Sequence, residues 1–482
     1  MTETIKSALD ALFGERYPKR TERAPRVVLM PDEDQVSFAG FIHPDSPTSG
    51  VYGGMSLIWF PVGEEQEQKA GSLLTLVCGT RGLAPDEQIL GRPGHARYLH
   101  AMRRYLDSTQ QVSMWAKPDP TNLSQSFPRI QAGVWSRFES VIKRYGNYIY
   151  AAVEVPENLE KAQVVISSFL DFYAWERGWT PMAAAKSDFE DLINALRSHL
   201  FPCTHLDPLF ALLRERRFVI VQGPPGTGKT RMAVEMLKKK FQNHGMSIQF
   251  HPAVTYETFI AGITPDVNKS NLQFEIKAGW LVQSILAAHA DPSRNYLLHI
   301  DEINRADLGK VLGEAIYLFE PREIGSDEER AIQLPYPLPD GTRFIQIPQN
   351  LYILGTMNSA DRSIAILDLA VRRRFAFVDL WPDLAVIERQ GIPLATEAFG
   401  RLLDIFTQFA PNDALVLIPG HAYFLAGNEG ELARRLRHEL IPLLHEYLLE
   451  GRLGMCESEL HAYLDWLEGT IANHGPEAES LS

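Results

Sequence analysis

The sequence predicts an α/β protein built on a parallel sheet, with a helical region behind the sheet and an α+β domain in front of it. Three observations carry this prediction. From Arg217 onward, apolar strands, glycine turns and amphipathic helices alternate, the texture of parallel strands joined by crossover helices. After FVDLWPD (residues 377–383) the pattern is helical to about residue 470. Residues 26–90, by contrast, hold short apolar runs (RVVLM, QVSFAGF, MSLIWFPV, SLLTLVCGT) broken by Gly, Pro and Ser.

A chain of 482 residues with 45% hydrophobic content exceeds what one core usually holds. The expected division is an N-terminal α+β domain at 1–195, an α/β domain at 196–385, a helical domain at 386–472 and a low-complexity tail at 473–482, with the first boundary near FPCTHLDP. No run of about 18 apolar residues is present, and the first residues are acidic where an export signal is basic. The expectation is a cytoplasmic protein with no membrane partner. Cys78, Cys203 and Cys456 are far apart, which excludes a zinc ribbon, a disulfide framework and a CxxC redox pair. A net charge of -13 argues against a surface coated for nucleic acid, although a local basic patch is compatible with it.

In the N-terminal region, GHARYLHAMRRYLD, SRFESVIKRYGN, KAQVVISSFLDFYAWERG and SDFEDLINALRSHLF have helical spacing. Residues 80–105 set Arg81, Arg92, His95, Arg97, Arg103 and Arg104 among Tyr98 and Tyr105. This composition suits phosphate contact and base stacking on DNA; it also suits protein-partner binding or a solvated helix face. HPDSPTSGVYGG (residues 43–54) reads as a connector.

The α/β region opens with a buried strand, FVIVQ, followed directly by GPPGTGKT and a helix, RMAVEMLKKKF. This is a P-loop. Gly223, Pro224, Pro225, Gly226, Thr227 and Gly228 form the turn whose N–H groups face phosphate oxygens, Lys229 reaches the β- and γ-phosphates, and the Thr230 hydroxyl holds Mg²⁺. A second apolar strand, YLLHI, ends in Asp301 and Glu302. Asp301 is placed to hold Mg²⁺ and Glu302 to deprotonate an attacking water. A third, NLYILGTMN, ends in Asn358, an amide able to bond the γ-phosphate or the water. Asp361, Arg362 and Ser363 then form a turn and helix cap. The following helix, IAILDLAVRRRF, puts Ile364, Leu367 and Val371 on one side and Arg372, Arg373 and Arg374 at its end. Those arginines lie too far along the chain to reach their own phosphate, so they either serve a neighbouring subunit's nucleotide or complement the helix dipole.

Taken together, MNSADRSIAILDLAVRRRF, GPPGTGKT, IDEINRADLGKVLGE and FHPAVTYETFIAG resemble the AAA+ motor of the McrB family, over roughly residues 200–425. The resemblance implies a P-loop AAA+ parallel sheet with a helical lid and a hexameric ring with nucleotide at subunit interfaces. It also implies a McrC-like partner that stimulates hydrolysis and carries or recruits a nuclease. It makes Lys229, Thr230, Asp301 and Glu302 the phosphate, metal and water residues, Asn358 the sensor, and Asp361 and Arg362 the family signature. Arg373 and Arg374 become the trans-acting arginines, with Arg374 ranked first. PGHAYF (residues 419–424) resembles a lid segment in which His421 is either functional or a packing residue. TYETFIAG places Tyr256 and Phe259 in the core, with a loop facing the pore. ATP and GTP remain open, since a P-loop reads phosphates and not the base. No Asp and Glu-x-Lys nuclease arrangement is present, AVEVPENLEK having the wrong spacing and a proline. The reading is therefore the nucleotide-hydrolysing motor and recognition subunit of an antiviral DNA restriction complex; the alternative is a MoxR-like remodelling chaperone with a protein client and no DNA.

Overall fold

A computed structural model describes residues 2–19, 23–28, 36–46, 51–61, 72–125, 138–202, 204–265, 274–326, 329–361 and 369–472. The chain forms two units, one of Met1–Phe201 with Thr407–Asn412, the other of Pro202–Phe406 with Asp413–Ser482. The division at Phe201/Pro202 falls within FPCTHLDP, while the sequence gives no sign that Thr407–Asn412 joins the first unit.

The first unit is a six-stranded sheet of β1 (Arg26–Val28), β2 (Phe38–Phe41), β3 (Met55–Phe60), β4 (Ser72–Cys78), β5 (Met114–Ala116) and β6 (Ile149–Val155). The strand order is β1-β2-β3-β4-β6-β5, and every neighbouring pair is antiparallel. Alternate residues feed two cores, because successive side chains of a strand point to opposite faces. Leu74, Leu76 and Cys78 pack with helices Thr2–Arg16, Pro93–Gln110 and Leu159–Glu176, while Leu73 and Val77 pack with Phe38, Phe60 and Tyr145. Both faces are covered, which explains strands that are apolar throughout.

The second unit adds β7 (Phe218–Gly223), β8 (Gly245–Gln249), β9 (Ala261–Pro265), β10 (Phe274–Ala278), β11 (Tyr296–Asp301), β12 (Ile332–Gln333), β13 (Phe344–Ile345), β14 (Leu351–Asn358) and β15 (Ala376–Asp379). Five of these make an all-parallel sheet in the order β15-β7-β14-β11-β8; β9–β10 and β12–β13 are separate antiparallel hairpins. Central parallel strands are buried on both faces, so β7, β11 and β14 are continuous apolar runs. Because β14 lies between β7 and β11, three strands far apart in sequence end side by side. The lid follows as helices Pro393–Phe409, Glu429–Arg435 with its continuation through Ile441–Leu449, and Glu457–Ala472. Among the described residues, no helix is long and apolar enough to cross a membrane.

Candidate active site

At the end of β7 the chain turns through Gly226 (φ 76°) and Gly228 (φ 82°) into helix Lys229–Lys240. Left-handed backbone at two positions is what glycine permits at low cost, and it aims the loop's N–H groups inward. The buried Thr227 hydroxyl donates to the Pro224 carbonyl at 3.0 Å and braces the turn. Lys229 Nζ donates to the carbonyls of Gly223 (3.0 Å) and Pro224 (2.7 Å). Burial pushes the Lys229 ammonium down to about 8, with Glu302 and Asp301 opposing that shift. A part-buried cation whose hydrogen bonds go to neutral carbonyls is primed for an anionic ligand.

On β11, Asp301 gathers two hydroxyls. Thr230 Oγ1 donates at 3.0 and 3.3 Å to its two oxygens, and the buried Thr356 hydroxyl of β14 donates to Oδ1. Thr356 was not singled out from the sequence, although it sits two residues before Asn358 and therefore on the same strand face. The Thr230 and Asp301 oxygens fit Mg²⁺, a hard cation that takes one or two protein oxygens and completes its shell with water and phosphate.

Glu302 adopts φ 52°, unusual for a side chain other than glycine and a strain of about 1–2 kcal/mol. The kink redirects the chain from β11 into the turn Ile303–Arg305. The Glu302 side chain is 22% exposed; its Oε2 has no hydrogen bond, and Arg305 Nε stands 3.5 Å away. A half-open carboxylate beside a phosphate cradle is able to take a proton from water.

Asn358 pairs in register with Gly223, which sets it beside the P-loop. Its Oδ1 accepts from the Ala360 N–H at 3.2 Å, which leaves the amide nitrogen as the donating end. Asn358, Asp361, Pro225, Tyr423, Tyr447 and Arg452 border a cavity of about 720 Å³. Arg362 lies outside the described residues, as do Ser363, Ile364 and Leu367; the helix is described only over Leu369–Arg372. Val371 is buried. The three arginines separate: Arg372 and Arg373 are exposed, but Arg374 is only 8% exposed and donates to the Ala370 carbonyl at 2.8 Å. Arg373 is the outward-facing member of the pair, while Arg374 bonds within its own chain.

The lid segment touches the P-loop backbone. Gly420 N–H donates to Pro225 O (2.8 Å) and Ala422 N–H to Gly226 O (3.0 Å), while a Cβ at Gly420 would fall 2.1 Å from the Gly226 carbonyl carbon. His421 accepts the Asp383 N–H at 3.3 Å on Nδ1, and burial lowers its pKa against the pull of Asp383. The ring is thus tied to backbone on one side, while its Nε2 would lie 3.6 Å from a Cβ at Gly228 of the P-loop. Phe259 is core as expected, whereas Tyr256 is half-buried and donates to Glu314 at 2.7 Å; the loop beyond, residues 266–273, lies outside the described residues.

The residues of the N-terminal basic cluster divide between the interior and the surface. Arg92 pairs with the buried Glu176, and His95, fully buried, lies 3.3 Å from the same carboxylate. Arg97 donates to the carbonyls of Thr407 and Ala410, both at 2.6 Å, within the first unit. Tyr98 is fully buried against Trp175. Only Arg81, Arg103 and Arg104 of that set are exposed.

Residues 218–375 match the AAA domain (dynein-related subfamily). An alignment over 202 positions, covering 35% of this chain, is 27% identical to the type II restriction enzyme BsuMI component YdiS of Bacillus subtilis (strain 168) and spans 59% of that protein. A longer alignment, over 341 positions and covering 64% of this chain, is 31% identical to the type IV methyl-directed restriction enzyme EcoKMcrB subunit of Escherichia coli (strain K12) and covers 72% of it. Identity sustained over most of that relative, around an intact phosphate-binding strand, loop and helix, makes the chain a member of the McrB-like family of AAA+ nucleoside triphosphatases.

Proposed function

We propose that the chain hydrolyses GTP or ATP with Mg²⁺ as the motor subunit of a DNA restriction complex in antiphage defence. The observation that carries the proposal is the convergence of Lys229, the Thr230–Asp301 pair, Glu302 and Asn358 at the adjoining ends of β7, β11 and β14. In this reading the P-loop N–H groups and Lys229 bind the β- and γ-phosphates. Thr230 and Asp301 hold Mg²⁺, which when bound neutralises charge on those phosphates. Asn358 orients the water. Glu302 takes its proton as the water oxygen bonds to the γ-phosphorus and the bridging oxygen leaves with the diphosphate.

The exposed Arg373 suits the role of a cation supplied to a neighbouring subunit's nucleotide. The protein then works as a ring, hexameric in this reading, with each nucleotide between two subunits. Both named relatives are restriction components, which favours a McrC-like partner with a separate nuclease over a remodelling chaperone. The first unit carries target recognition. The test is hydrolysis of GTP and of ATP by purified protein, alone, with DNA, and with the product of a co-encoded partner gene. Partner-stimulated turnover is expected; partner-independent ATP hydrolysis with no response to DNA would overturn the restriction reading in favour of the chaperone.

A further inference from the structure

The helix Ile441–Leu449 ends in a glycine turn. Gly451 adopts φ 62° and donates to the Leu448 carbonyl at 3.1 Å, so the next residue folds back on the helix it has just left. That residue is Arg452. Its guanidinium stands 5.9 Å from the centre of the Tyr447 ring, Nη1 lies 3.2 Å from Glu450 Oε2, and Nη2 donates to the Ala360 carbonyl at 2.8 Å. The side chain is 18% exposed. Tyr447 and Glu450 hold the arginine on the lid, and among the described residues its bond off the lid goes to the turn that follows β14.

Ala360 is also the residue whose N–H donates to Asn358 Oδ1. An Asn amide can flip end for end, and only a bond to one end decides which of oxygen and NH₂ faces a ligand. Here the Ala360 N–H captures the oxygen, so the NH₂ is the end left to donate. Arg452 fixes the residue that makes this choice, and Arg452, Ala360 and Asn358 border the same cavity of about 720 Å³ beside Pro225 of the P-loop.

We infer that Arg452 is a positioning residue for hydrolysis: through Ala360 it holds the Asn358 amide with its NH₂ toward the phosphate, and so makes that orientation depend on where the lid sits. The inference rests on the reading of Asn358 as the residue that orients water or the γ-phosphate. A charge-assisted bond to a carbonyl is strong enough to define a turn, and a lid that moves away takes the guanidinium with it.

The experiment is a cycle of Arg452→Met, Asn358→Ala and the double variant in the full-length protein, with kcat, KM, nucleotide affinity and Tm measured for each. Arg452→Met is expected to lower kcat about tenfold with KM and nucleotide affinity within about threefold of wild type. Arg452→Lys, which keeps the donor, is expected to recover part of the loss. In the Asn358→Ala background Arg452→Met should cost nothing further. If the two losses multiply, or if Arg452→Met raises KM and lowers Tm with kcat intact, Arg452 merely seats the lid and the inference fails. If Asn358→Ala leaves kcat unchanged, the reading of Asn358 fails and the inference falls with it.

Discussion

Glu176 and Glu302 are both glutamates that face an arginine, one in each unit, and the structure treats them in opposite ways. Glu176 is 1% exposed, bound to Arg92 and flanked by a fully buried His95. Glu302 is 22% exposed on a left-handed backbone, with Arg305 3.5 Å from an oxygen that accepts no hydrogen bond. A carboxylate closed off from solvent with its charge matched by an arginine is out of a ligand's reach, and removing it leaves that arginine without its anion. A strained, half-open carboxylate at the end of a parallel strand has been left uncommitted, and such positions collect function. Charge in a sequence therefore says little until the fold shows whether the partners are internal.

The contrast can be broken by substitution. The largest effect is expected at Glu302: Glu302→Gln should lower kcat about 10³-fold, worth about 4 kcal/mol, while nucleotide binding and Tm stay near wild type. Steady-state kinetics with a binding titration checks this, and a kcat within tenfold of wild type would remove Glu302 from the role of base. Glu176→Gln should do the reverse, costing about 3 kcal/mol in urea unfolding by leaving Arg92 without its anion. Were it neutral for stability, the buried pair would not be the structural element described here.

A third measurement sharpens the contrast between Arg373 and Arg374. Arg373→Ala should reduce turnover about a hundredfold in pure form. Mixing it with Lys229→Ala should restore part of the activity, because each subunit supplies what the other lacks. Arg374→Ala, which removes a side chain bonded within its own chain, should show no such rescue.

The smallest effect concerns His299 on β11, whose Nδ1 lies 2.7 Å from Ser247 Oγ and whose pKa is pushed down to about 4 by burial, with Asp301 opposing. The unfolded chain binds this proton below about pH 6.5 and the native state does not until about pH 4, so stability falls as pH drops through that window. By pH 5 the loss should be about 2 kcal/mol, seen in urea unfolding and reduced in His299→Gln.

The P-loop, the acidic pair and Asn358 were legible because each is local. A buried strand plus the residue at its end fixes position without knowledge of the rest of the chain. What stayed hidden depends on where side chains end rather than where they start. Arg97 looked like a phosphate contact and instead bonds carbonyls some 310 residues away. Arg374 and its neighbour Arg373 are indistinguishable as letters, and the turn that follows the helix buries one and exposes the other. Thr356 carried a faint signal, a hydroxyl in an apolar strand two residues before a suspected site residue.

By itself, then, the sequence determined that this chain cradles phosphate. Glycine at two left-handed positions between a strand and a helix makes that geometry wherever it folds, since the conformational preference resides in the residues themselves. Only the tertiary structure decided which charges were left over for chemistry. It brought Thr356 to Asp301, Arg452 to Ala360 and Glu176 to Arg92. These pairings depend on distances between residues remote in sequence, which no local preference encodes.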